Sequence, residues 1–151
     1  MNSPTDAPTD LATATPTDTA GNTANDQARK QPPTFRIWYI TPAAKTVIMR
    51  NTIGIRIADN AMGLTKELIP ITHRCVDILH NVTEWPRTNE VLRAIYDWYQ
   101  GENWSPNGEA RPLIAGLQLE HTSMSVGDVI ELCRDNRFWM VADYGFTEIE
   151  R

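Results

Sequence analysis

Side chains able to do chemistry crowd most closely in one stretch of this 151-residue chain, His121-Thr122-Ser123-Met124-Ser125-Val126-Gly127-Asp128. A hydroxyl, an imidazole and a carboxylate are the parts of a nucleophile, its base and the group that orients the base. On that reading Ser123 or Ser125 attacks, His121 takes the proton and Asp128 holds the imidazole. The setting argues for something plainer. A hydrolase serine sits on a strained strand-to-helix elbow, whereas the residues that follow here, Val129-Ile130-Glu131-Leu132, read as a strand. Residues two apart on an extended chain share a face without meeting at hydrogen-bond distance. The stretch is therefore expected to be a structural turn. Gly127 supplies backbone freedom, and Ser123, Ser125 and Asp128 bond nearby backbone amides. No catalytic residue is expected.

Two other groups of side chains invite a chemical reading. His73, Cys75 and His80 lie close together, but His80 falls on the opposite strand parity from His73, and no C-x-x-C or H-E-x-x-H spacing occurs. Neither a metal nor another cofactor is expected. Cys75 and Cys133 are too few for a disulfide framework, and both sit in apolar runs where buried free thiols are usual. The second group is the polar stretch Glu102–Pro112, long for a helix-to-strand connection, which reads as a binding loop. Trp104 is its candidate anchor, with Glu102, Asn103, Asn107, Glu109 and Arg111 as a polar rim. The competing expectation is that Trp104 folds back over the end of the preceding helix.

The elements that must position these residues follow from composition and periodicity. Residues 1–33 are dominated by Thr, Ala, Asp, Asn and Pro, and repeat Pro-Thr-Asp at 4, 8 and 16. With almost nothing apolar to bury, they read as a disordered tail ahead of a single domain at 34–151. That domain is long enough for a core of its own. The chain carries a net charge of −5, of which −2 falls in the tail. An acidic domain disfavours nucleic acid as a partner. No apolar run reaches membrane-spanning length and the start lacks a secretory pattern, so a cytoplasmic protein with no membrane partner is expected.

Phe35–Ile40 and Lys45–Arg50, separated by Thr41-Pro42-Ala43-Ala44, read as a hairpin, and Ile53, Ile55 and Ile57 alternate like a third strand. Asp59 to Leu68 suggests a short helix ended by Pro70, and Ile71 to Val82 another strand. The clearest helix spans about 89–100. Val91, Leu92, Ile95, Trp98 and Tyr99 form one apolar stripe, with Thr88 or Asn89 as cap and Gly101 beyond its end. Val129–Cys133 and Phe138–Ala142 read as a second hairpin turning at Asp135-Asn136. The fold class expected is α+β, a largely antiparallel sheet with one main amphipathic helix packed on it.

The run from His73 to Ile149 resembles the YodL-like domain of proteins carried by plasmids, integrative elements and phages. Four parts carry the resemblance: the strand His73-Arg74-Cys75-Val76-Asp77-Ile78-Leu79, the helix Glu90 to Gln100, the block His121 to Ile130, and Phe138 to Phe146 with Asp143-Tyr144-Gly145-Phe146. Gly127 stands where the family has Ser, and Glu120 where Gly is usual. The resemblance implies Ser123, Ser125, Gly127, Asp128, Gly145 and Phe146 as a shared structural motif and an accessory role on a mobile element. The function expected is non-catalytic binding to a protein partner, which the sequence does not identify. A nucleic-acid-binding regulator is the alternative, and a small hydrolase built on His121, Ser123 and Asp128 the second alternative.

Overall fold

Alternation in the run from Phe35 makes the first strand, β1 (Phe35–Ile40): Phe35, Ile37 and Tyr39 are buried, Arg36 is exposed and Trp38 half-buried. The computed structural model describes residues 32–51, 64–82 and 87–150. The tail, apart from its last two residues, the alternating isoleucines at 53, 55 and 57, and the start of the short helix expected from Asp59 lie outside the described residues. Pro33 is buried, and its carbonyl accepts the Val82 N–H at 3.1 Å.

The expected second arm of the first hairpin is a helix instead, α1 (Pro42–Asn51). Pro42 takes the first helical position, where its missing N–H goes unneeded. The Thr41 hydroxyl accepts the Ala44 N–H at 3.3 Å, and the Thr41 carbonyl accepts the Lys45 N–H at 2.9 Å. This capping start decides the conformation over the β-branched content of the run. Pro70 likewise does not end a helix. A 3₁₀ turn (Lys66–Leu68) leads into the single-turn α2 (Ile69–Thr72), and Pro70 lies within its first turn.

The strand β2 (His73–Leu79) follows, then α3 (Thr88–Trp98). Its N-cap is Arg87, which makes no side-chain cap bond, so neither Thr88 nor Asn89 caps it. Gly101 does not terminate it either, but opens α4 (Gly101–Trp104). The stretch read as a long loop is mostly helical turns, since α5 (Arg111–Gly116) begins with Pro112 in its first turn. The strands β3 (Val129–Leu132) and β4 (Arg137–Val141) form the expected hairpin. Its connection is longer than the expected two-residue turn: Leu132 pairs Arg137 across a 3₁₀ turn at Cys133–Asp135 and a left-handed Asn136. The last strand is β5 (Phe146–Ile149).

The five strands run in the order β2-β1-β3-β4-β5, every neighbouring pair antiparallel. The fold is α+β, as the sequence indicates. The larger core joins Phe35, Ile37, Tyr39, Ile130, Trp139 and Val141 of the sheet to Val91, Leu92, Ile95 and Tyr99 of α3 and its C-cap. A second core packs Leu64 and Ile69 against Val129, Phe138, Met140 and Ile149. Side chains alternate along each strand, so Trp139 serves one core and its neighbours Phe138 and Met140 the other. No helix among the described residues is long and apolar enough to cross a membrane.

Candidate functional site

The turn leading into β3 brings His121 and Asp128 together and keeps both serines out of the pair. His121 Nε2 lies 3.0 and 2.9 Å from the two carboxylate oxygens of Asp128. The Asp128 side chain is completely buried, and His121 retains 18% exposure. The same carboxylate accepts the backbone N–H of Ile40 at 2.8 Å and of Ser125 at 2.7 Å. It therefore joins the end of β1 to the 125–128 turn, the scaffold role expected of it. Carboxylate oxygens accept, so His121 carries its proton on Nε2 in this contact. The imidazole is also stacked on the Tyr39 ring, with centroids 4.9 Å apart and planes 12° from parallel.

Each serine hydroxyl is engaged by backbone. Ser123 Oγ accepts the Gly101 N–H at 2.8 Å, and Ser125 Oγ donates to the Ser123 carbonyl at 2.9 Å. Gly101 is held so closely that a Cβ there would lie 2.9 Å from Ser123 Oγ. Gly127 has φ +97°, and its carbonyl accepts from His73 Nε2 at 2.9 Å. The arrangement thus has an oriented imidazole and, among the described residues, no hydroxyl bonded to it. Asp128 accepts a nearby amide, that of Ser125, whereas Ser123 reaches the distant Gly101 N–H and the Ser125 hydroxyl bonds a carbonyl instead of the amide expected. Gly145 has φ +73° in the β4–β5 turn, closed by Ala142 N–H to the Gly145 carbonyl at 3.0 Å. Phe146 packs edge-on against Tyr96.

Burial shapes the ionisation of the surrounding groups. It pushes the Tyr39 phenol far above its ordinary range, reinforced by the Asp128 charge. The Tyr99 phenol is raised in the same way, first by burial and then by its 2.6 Å hydrogen bond to Asp77. His73, with no exposed surface, is held below the usual imidazole value by burial, against the opposing pull of the Gly127 carbonyl and Asp128. Cys75 and Cys133 are half-buried free thiols, less enclosed than expected, and burial raises both. Among the described residues, no three His, Cys, Asp or Glu side chains converge to hold a metal ion.

The binding loop differs from expectation at its anchor. Trp104 is half-buried and packs on the larger core. Its indole N–H donates to the Thr122 carbonyl at 3.0 Å, and its ring tilts onto Tyr99 at 5.1 Å. It folds back over the end of α3, because α4 turns the chain inward immediately after Gly101. Glu102, Asn103, Asn107, Glu109 and Arg111 stay exposed. They bond locally: Asn103 to the Asp97 carbonyl, and Asn107 to Glu109, which holds the Glu109 carboxyl below its usual range.

Among the described residues the exposed tryptophan is Trp98, 60% accessible, on the stripe that the sequence assigns to the core. At 100° per residue, Leu92 and Trp98 lie about 60° to either side of Ile95. The helix meets the core through Val91, Leu92, Ile95 and Tyr99, and its docking leaves Trp98 in solvent. Beside it runs a mostly apolar groove of about 310 Å³, lined by Leu79, Val91, Ala94, Ile95 and Trp98, with His80 and Asn81 at its β2 end. Leu79 contributes to it from β2, a strand at the edge of the described sheet. Leu92 is equally marginal on the stripe and fully buried, so the sequence did not single out Trp98. No protein-family model matches the chain, and no curated protein or solved structure does either.

Proposed function

We propose that this chain is a non-catalytic accessory protein of a mobile genetic element or phage, acting in the cytoplasm by binding another protein. The observation that carries the reading is Trp98, 60% exposed at the lip of a mostly apolar groove. A large aromatic standing in solvent beside apolar side chains is the usual composition of an interface centre, and tryptophan is over-represented among residues that dominate binding. The engagement of Ser123 and Ser125 by backbone supports a non-catalytic role. The resemblance to the YodL-like domain supports the mobile-element origin. The acidic net charge of −5 favours a protein over a nucleic acid as the partner.

The test uses the full chain as bait in lysate of its native host, with the Trp98→Ala and Ser123→Ala variants alongside. The reading expects a protein captured by the parent and by Ser123→Ala, and lost with Trp98→Ala at an unchanged melting temperature. Equal capture by Trp98→Ala removes it.

A further inference from the structure

His73 opens β2 with a side chain that has no exposed surface, and both of its ring nitrogens are bonded. Nε2 faces the Gly127 carbonyl at 2.9 Å. A carbonyl only accepts, so Nε2 carries a proton. Nδ1 faces the Thr72 hydroxyl at 2.7 Å, and that hydroxyl also lies 2.8 Å from the Leu68 carbonyl. Thr72 has one hydroxyl proton for two acceptors. While the imidazole is neutral, Nδ1 presents a lone pair and competes with Leu68 for that proton. Once Nδ1 is protonated, it donates to the hydroxyl oxygen, and the hydroxyl proton belongs to Leu68 alone. The site is therefore wired for two protonation states, but the second places a cation where no water reaches.

Among the described residues, the charged groups around the ring do not neutralise that cation by contact. Asp128, on the facing turn, directs its oxygens to Ile40 N–H, Ser125 N–H and His121. His121 and Tyr39 border that carboxylate rather than His73. Arg74, on the same strand, donates to the His73 carbonyl at 3.0 Å. A buried cation without a direct partner is costly, and the cost falls away when the segment that encloses it opens.

The run that meets Nδ1 through the Thr72 hydroxyl is Leu64 to Thr72. It ends on the Thr41 N–H and Thr41 hydroxyl, both donating to the Thr72 carbonyl at 2.9 and 3.0 Å. Through Leu64 and Ile69 it covers Val129, Phe138, Met140 and Ile149 of the sheet. We propose that His73 is an acid-sensitive latch: proton uptake by its imidazole releases the 64–72 segment and uncovers the apolar face beneath. Acidification then turns a closed face of the sheet into an adhesive one.

The sign and size follow from linkage. The folded imidazole titrates below its unfolded value of about 6.5, so the latch holds above that pH and weakens as pH falls through it. Between pH 7.5 and 5.5 the opening equilibrium rises by up to about tenfold, the limit for one proton taken up on opening. The chain has three histidines, so the competing sources in this window are His80 and His121. The experiment is amide hydrogen exchange on the full chain at both pH values, corrected for intrinsic rates, with His73→Gln as the non-titrating variant. The proposal expects faster opening of 64–72 at pH 5.5 in the parent, little change in β3 and β4, and no pH response in the variant. Equal protection at the two pH values, an equal loss across the whole sheet, or the same response in His73→Gln overturns it. NMR titration of the parent's His73 ring tests it without any variant, and a native pKa at or above 6.5 overturns it as well.

Discussion

Replacing Asp128 with alanine removes the one side chain that ties β1, the 125–128 turn and His121 together. The carboxylate is fully buried and accepts from Ile40 N–H at 2.8 Å, Ser125 N–H at 2.7 Å and His121 Nε2 at 2.9 Å. Alanine leaves two enclosed backbone amides without acceptors, at about 1–3 kcal/mol each, and strands the imidazole. The expected loss is about 4 kcal/mol, a large part of the roughly 5–15 kcal/mol that holds a domain of this size. Asparagine at this position is a sharper probe. Whichever way its amide is turned, the NH₂ group meets a backbone N–H, because Ile40 and Ser125 occupy different oxygens. We expect Asp128→Asn to lose at least half as much as Asp128→Ala. Urea unfolding followed by tryptophan fluorescence measures both, and at a slope of about 2 kcal/mol per molar the alanine midpoint falls by about 2 M. A loss below about 1 kcal/mol for alanine, or a neutral asparagine variant, would show that the turn amides find other acceptors and that the hub is misassigned.

Trp104→Ala is expected to cost about 3–4 kcal/mol, since the indole packs on Tyr39 and Tyr99 and its N–H is bonded to Thr122; a cost under about 1 kcal/mol, read by thermal unfolding, would return it to the surface. The raised phenols of Tyr39 and Tyr99 stabilise the fold below the unfolded value of about 10, and that contribution is lost as pH rises beyond it. Ultraviolet titration should therefore leave these two rings protonated at pH 11 in the folded chain, and release them only as the chain unfolds.

Several features were legible in the sequence because they depend on local chemistry. Alternation in Phe35–Ile40 marks a strand, the Val91-Leu92-Ile95-Tyr99 spacing marks the helix that faces the core, and two β-runs around Asn136 mark a hairpin. The Ser125–Asp128 block reads as a backbone-bonding turn, and the α+β class follows from the order of elements. Where two local signals competed, the sequence did not choose. Lys45–Arg50 has β-branched residues and also a Thr-Pro helix start, and the cap decides.

Tertiary structure decided which faces meet. Trp98 and Tyr99 sit on one apolar stripe, and the docking of α3 on the sheet buries one and leaves the other in solvent. Trp104 reads as a loop residue until α4 turns it onto Tyr39 and Tyr99. His73 and Gly127 are 54 residues apart, and Ile40 and Asp128 are 88 apart. Composition and periodicity carry local preferences along the chain. Contacts across such separations exist only once antiparallel pairing brings the end of β1, the start of β2 and the turn before β3 to the same end of the sheet.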